Sequence, residues 1–394
     1  MTKNQTVIFV GKRAGAIQAA RHLGRTVILL ADSPPGKKDR DIIATFIDCD
    51  FYDQTVDWSA LAEDISRKQS VAAVCALTER TVLPAAMLRQ SLGLPGLQVE
   101  MAHRCTDKFL MKQAIRKAGL QSADFINVEA GVSTRHYLDK LGLPLVLKTR
   151  VGSGGRGTTI YRHREAIPDT LPQGWLAESF IDGLEMSVES FVYQGKPIFV
   201  NFTEYFKPGW ANIIPAKAEP ELTAAIQEVN HNAIKALGIT QGMTHLEIYL
   251  TEQGIYFGEL AARPPGGYIM ELMQEAYGVN FWKRLIALEL GQRPDFPTES
   301  QRYAGVWLLH PGPGQIRQID GLAEARTLPR VKRISLRVQP GDEIGQREGV
   351  GQETGHIMVT GETRSEVATG LLRAHQLIDI QIASPAEMAS ATQR

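Results

Sequence analysis

The chain has 394 residues, more than one hydrophobic core organises, so two or three domains are expected. Apolar residues make up 43% and charged residues 22%, and 43 basic residues balance 43 acidic ones, which argues against a field for binding nucleic acid. No apolar run is long enough to cross a membrane, the chain opens directly into a strand pattern rather than a leader, and the cytoplasm is the expected setting. Cys49, Cys75 and Cys105 are too dispersed for a zinc knuckle or a disulfide framework.

Residues 1–100 alternate strand and helix. Val7–Val10 is an apolar run ending at Gly11, Ala14–Leu23 has helical spacing, and Thr26–Leu30, Phe46–Cys49 and Val71–Leu77 read as further strands. This is the pattern of a parallel sheet with crossover helices. Residues 101–145 read mainly as helix, with Thr106-Asp107-Lys108 near a helix start and a stop at Gly119. Strands are expected at 145–148, 158–161, 175–181, 186–193 and 197–203, an amphipathic helix at 221–237, and a helical segment at 270–290. Residues 292–297 read as a linker, and 303–390 as strand-rich with one helix at 364–376. The expected fold class is multidomain α/β and α+β. Its units are an N-terminal parallel α/β domain over 1–100, a middle region over 101–295, and a C-terminal β-rich domain over 296–394.

The most informative stretch is Thr244–Leu250, a turn, and Ile255–Leu260, both alternating as half-buried strands do. A three-residue loop, Glu252-Gln253-Gly254, pairs Thr251 with Ile255 and sets Glu247 opposite Glu259. Facing Cβ atoms lie roughly 4.5–5.5 Å apart, and two carboxylates at that spacing repel by about 3 kcal/mol at an effective dielectric of 20. A cation between them relieves this, and oxygen-only ligands select a hard ion, Mg²⁺ or Mn²⁺. Arg263, four residues past Glu259, faces the same way if the strand continues, and a guanidinium beside a metal site suits phosphate chemistry.

Gly152-Ser153-Gly154-Gly155-Arg156-Gly157 places four glycines in six residues after Lys148, so its amides can turn into one anion-holding concavity. It is not a Walker A loop, because Thr158 stands where the lysine belongs and a strand follows. Glu185, Ser187 and Glu189 share a strand face, which reads from the residues alone as solvated. Gly11-Lys12-Arg13-Ala14-Gly15, with Asp32 ending the second strand, is a partial dinucleotide fingerprint and reads more simply as the turns of an open α/β sheet.

In this order the pieces resemble the ATP-grasp superfamily: Lys108, Lys148, the glycine loop, Glu-x-x-x-x-Gly-x-Glu at 178–185, and Glu247 with Glu259-Leu-Ala-Ala-Arg263. Arg263-Pro264-Pro265-Gly266-Gly267 and Pro340-Gly341-Asp342 look most like the L-amino acid ligase branch. The resemblance implies an ATP-grasp fold, with 101–295 as its nucleotide-binding region and a flexible lid at about 145–190, and an ATP- and Mg²⁺-dependent carboxylate–amine ligase that forms an acyl phosphate and then an amide. It also implies roles. Lys108 and Lys148 would contact ATP, and Gly152, Ser153, Gly154, Gly155, Arg156 and Gly157 would close over its phosphates. Glu178, Ser179, Phe180 and Ile181 would form the adenine hinge, and Glu185 would hold the ribose. Glu247 and Glu259 would bind metal, Arg263 would grip the transferred phosphate, and His245 is a candidate base. Ala261 stands where the family often has a metal-ligating Asn. Glu79, Tyr268 and the segment 204–210 are candidates for the substrate side. The expected partners are small carboxylates and amines, with dimerisation through the N-terminal unit common in the family. Rival readings are an ATP-grasp enzyme activating formate or bicarbonate, a nucleotide sensor without turnover, and an NAD-dependent oxidoreductase built on Gly11, Gly15 and Asp32.

Overall fold

The computed structural model describes residues 6–53 and 55–383; the expected strand-rich stretch beyond 383 lies outside them. At the N-terminal end four parallel strands run in the order Ile43–Asp48, Thr26–Ala31, Thr6–Val10, Val71–Ala76. Their all-apolar central segments are buried on both faces, as crossover helices require. Here the Gly11–Gly15 segment has a packing role. Gly11 turns the chain at φ +90°, and a methyl group on Gly15 would lie 2.2 Å from Trp282 Nε1, in the helix Phe281–Glu289. Asp32 faces Arg80 at 3.4 Å on the surface. The partial fingerprint is thus a close helix contact and a surface ion pair.

The region read as mainly helical, 101–145, consists of the helices Val99–Thr106, Lys108–Lys117 and Thr134–Leu141 with a short strand, Phe125–Asn127, between the last two. The segment 270–290 is two helices, Ile269–Tyr277 and Phe281–Glu289, separated at Gly278 (φ +71°). Asn280 caps the second by accepting from the Lys283 amide. A second helix, Leu322–Thr327, joins the expected Arg364–Leu377 near the C-terminal end.

Two antiparallel sheets position the site. A four-stranded sheet has the order Phe125–Asn127, Trp175–Ser179, Leu145–Thr149, Thr158–Tyr161, and the glycine loop caps its last hairpin. An eight-stranded sheet runs Gly254–Ala261, Gln241–Thr251, Leu184–Tyr193, Lys196–Lys207, Ala211–Ile214, Tyr303–Leu309, Gly355–Gly361, Val331–Leu336. It is one continuous ladder across residue 296. One of its faces packs an aromatic cluster of Phe191, Phe199, Tyr277, Phe281 and Phe296. The other packs Val188, Leu246 and Leu260 against the helices Pro220–Leu237 and Lys108–Lys117.

The carboxylate hairpin reaches its expected register by an unexpected route. Its loop has two residues, with Thr251 paired to Gly254, so the tip is one residue tighter than the sequence reading. The register then shifts beyond Ile248–Phe257, and Glu247 pairs with Glu259. The extra residue is Gly258, a β-bulge. A side chain there would meet the Glu247 carbonyl at 2.9 Å and Tyr249 Cε2 at 3.0 Å. The shorter turn and the bulge cancel, leaving the two acids opposite each other. Gly258→Ala is expected to destabilise the fold by roughly 1–3 kcal/mol through overpacking, read as a lower urea midpoint at unchanged m-value.

Candidate active site

Strand register sets the site in rows. Glu259, Glu247 and Ser187 form one row that Thr203 completes, and Ala261, His245, Glu189 and Asn201 form the next, toward the aromatic cluster. Residues 185, 187 and 189 do share a face, but the face is not solvated: Glu189 and Ser187 are fully buried. Glu189 accepts from Ser187 Oγ at 2.7 Å, Asn201 Nδ2 at 2.7 Å and Thr203 Oγ1 at 2.6 Å, and lies 2.9 Å from His245 Nδ1. Such saturation satisfies the hydrogen-bonding capacity of a buried carboxylate.

His245 is therefore spoken for on both sides, with Nε2 3.6 Å from Glu247 Oε1. Burial alone would lower its pKa, but Glu189 and Glu247 hold it up to about 9. Both ring nitrogens of His245, the candidate base, face carboxylates, one of them Glu247. Burial would raise the Glu247 pKa, yet His245, Arg263 and Lys148 bring it below the usual range. Tyr205 Oη, from the segment expected on the substrate side, donates to Glu247 Oε1 at 3.4 Å. Glu185 is pushed up to about 7 by burial and by the Glu247 charge. Glu247 is thus the anionic focus.

The lysines arrive from two directions. Asp107 caps the helix Lys108–Lys117, accepting from the Phe109 and Leu110 amides, and Arg150 ties Asp107 to the glycine-loop side. This sets Lys108 at the first helical position. Its Nζ donates to Gly152 O at 2.8 Å and lies 3.2 Å from Glu259 Oε1, so one ammonium joins the glycine loop to the facing acids. Lys148 Nζ lies 2.8 Å from Glu178 Oε2, and Lys112, unnoticed in the sequence, reaches Glu178 Oε1 at 3.2 Å. Burial would raise the Glu178 pKa, but the two ammonium groups keep it low. Lys112 lies on the same helix one turn beyond Lys108, and that i,i+4 spacing was the available signal.

Gly154, Gly155 and Gly157 all take positive φ, and a side chain at Gly157 would strike Thr149 at 2.8 Å. Gly154 O accepts from the Val350 amide at 3.3 Å, and Arg156 reaches Ser153 Oγ and Val350 O at 3.4 and 3.5 Å. The strand Trp175–Ser179 ends where Ser179 pairs with Asp124, so the backbones of Phe180 and Ile181 leave the ladder. Arg162 lies over the Phe180 ring. Arg263 meets Glu79 at 2.9 Å and donates to Pro264 O, closing the seam to the N-terminal sheet.

The donor set fits a divalent metal held jointly with a ligand. Among the described residues no three His, Cys, Asp or Glu side chains are arranged to hold a metal by themselves, and Ala261, opposite His245, offers no donor. The chain supplies two facing carboxylates, and phosphate and water oxygens would complete the shell, as Mg²⁺ favours.

Two outcomes follow from these buried charges. Lys112→Met is expected to destabilise the fold by on the order of 2 kcal/mol, less than a wholly orphaned buried acid because Lys148 remains; chemical denaturation measures it. His356 is buried, stacked on Tyr268 with ring centroids 4.0 Å apart, and its pKa is lowered to about 4 by burial and by Arg333 and Arg337. The unfolded imidazole titrates near 6.5, so the stability contribution is complete above that pH and is lost as pH falls toward 4. The total is roughly 3 kcal/mol. Unfolding free energies across this range should fall more steeply in the native chain than in His356→Gln.

Comparison with known proteins matches this geometry to a family. Residues 17–96 match the ATP-grasp N-terminal domain model, 113–271 the ATP-grasp domain and 306–383 the L-amino acid ligase C-terminal domain 2. The L-arginine-specific L-amino acid ligase of Bacillus subtilis is 25% identical over 315 residues, 75% of this chain and 76% of that one. The crystal structure of an L-amino acid ligase from Bacillus licheniformis superposes with TM-score 0.84 at 20% identity, covering 98% of this chain and all of that one. N5-carboxyaminoimidazole ribonucleotide synthetase from Thermotoga maritima follows at TM-score 0.75 and 20% identity, over 96% of this chain and 100% of its own. The chain belongs to the ATP-grasp superfamily, resembles its L-amino acid ligase branch, and is by class an ATP-dependent carbon–nitrogen ligase.

Proposed function

We propose that this protein activates a small carboxylate with MgATP as an acyl phosphate and couples it to the amine of an amino acid, releasing ADP and phosphate. The observation that carries this reading is the facing pair Glu247–Glu259 with Lys108 bridging it to the glycine loop. The match of residues 306–383 to an L-amino acid ligase domain favours an amino-acid substrate over formate or bicarbonate. The carboxylate oxygen attacks the γ-phosphorus as the bond to the ADP oxygen breaks. The amine then attacks the acyl carbon, phosphate departs, and the amine loses a proton. Such chemistry asks the protein mainly for positioning and charge neutralisation.

In this reading Lys108 exchanges Glu259 for a phosphate oxygen, which leaves both acids to the metal. The metal, when bound, neutralises charge on the phosphates. Lys148 and the loop 152–157 contact the phosphates, Phe180 and Ile181 offer backbone groups to the base, Glu185 holds the ribose, and Arg263 steadies the transferred phosphoryl group. His245 holds Glu247 in place. Glu79, which holds Arg263 at 2.9 Å, would meet the substrate's amino group.

Phosphate release measured over pairs of amino acids and dicarboxylates, with formate and bicarbonate arms, tests this. ADP, phosphate and an amide are the expected products; AMP and pyrophosphate would exclude the acyl-phosphate route. Glu259→Gln should lower turnover by at least a hundredfold with an unchanged melting profile, and full activity in that variant would remove Glu259 from the metal site.

A further inference from the structure

Arg13 has no part in the chemistry so far. It follows the turn at Gly11, at the head of the helix Ala14–His22, and crosses to the far side of the seam. One guanidinium nitrogen donates to Pro265 O at 2.6 Å, and the group lies 5.4 Å from the centre of the Trp282 ring. The side chain is half-buried, and among the described residues it makes no ion pair. Arg263, by contrast, grips the preceding carbonyl, Pro264 O, and has Glu79 as its acid. Adjacent Cα atoms are only about 3.8 Å apart, so two guanidinium groups, one from a helix start and one from beyond a strand end, converge on one turn, and one of them has no carboxylate. Burial lowers the Arg13 pKa; the charged and titratable groups facing it are Glu271, Arg263, Tyr268 and Glu353. A partly desolvated guanidinium with donors to spare is suited to a carboxylate.

The proposed ligation supplies such a group. An amino acid serving as the amine substrate keeps its own carboxylate, which takes no part in either step and must be held near, but apart from, the phosphate gripped by Arg263. We propose that Arg13 binds this non-reacting carboxylate and so discriminates the amine substrate by it. The inference rests on the ligase reading and names a specificity-determining residue of the same site.

The test compares L-amino acids with their carboxamides as amine substrates, in the native enzyme, Arg13→Gln and Arg13→Lys. Gln keeps a donor for Pro265 O but removes the charge; Lys keeps the charge without the fork. The native enzyme should prefer the acid over the amide at least tenfold in kcat/KM. In Arg13→Gln the KM for the acid should rise about ten- to a hundredfold, as loss of a charge-assisted hydrogen bond implies, with kcat within a few-fold and the amide unaffected. Arg13→Lys should recover part of the loss. Equal use of acid and amide by the native enzyme, or equal losses for both in Arg13→Gln, would overturn the proposal, and the first comparison holds even if a variant fails to fold. Calorimetric binding of the same compounds to protein saturated with Mg²⁺ and a non-hydrolysable ATP analogue needs no turnover. Acid-selective binding without phosphate release would sink the ligase reading and leave Arg13 standing; unselective binding would sink Arg13 alone.

Discussion

Like charges held face to face are the constraint around which this molecule is arranged. Glu247 and Glu259 are fixed opposite each other by strand register, and their repulsion is met by cations delivered from separate elements: Lys108 from a helix start, His245 from the same strand, Arg263 beyond the bulged strand and Lys148 from the smaller sheet. Each cation has a second tie, to Gly152 O, Glu189, Glu79 and Glu178 respectively. The charges therefore form a lattice rather than isolated pairs, and a polyanion with a divalent cation has counter-charges ready on several sides.

Much of the fold was legible because strand and helix periods are strong in this chain. The parallel strands, the helix Pro220–Leu237 and the helix start at Asp107 stand where apolar spacing and capping residues put them. The acid pair was legible through register, although two local departures had to cancel: a shorter turn and the bulge at Gly258, neither of which alternation alone reveals. Glu189 misled in the other direction. An acid on an alternating strand looks solvated, and only the neighbouring strand, which brings Asn201 and Thr203 across from it, shows that its charge is satisfied inside. Lys112 and Arg13 were missed for a similar reason. Lys112 had one local signal, its spacing from Lys108, but its partner Glu178 and Arg13's partner Pro265 lie 66 and 252 residues away.

The glycines divide along the same physical line. Those at 154, 155 and 157 permit a backbone path that other residues resist, in keeping with a loop that wraps phosphate. Gly15 and Gly258 serve close approach instead, one to an indole and the other to a carbonyl. A short sequence signature cannot separate these uses, which is why Gly11–Gly15 resembled a nucleotide turn and proved to be a packing joint.

The eight-stranded ladder has an architectural consequence. Ala211–Ile214 and Tyr303–Leu309 are hydrogen-bonded neighbours inside it, so residues beyond the linker complete a sheet begun before it. Severing the chain near 296 would leave each fragment with a bare row of backbone donors and acceptors at its cut edge, an invitation to self-association. The carboxyl-terminal quarter thus behaves as a structural keystone rather than a detachable accessory.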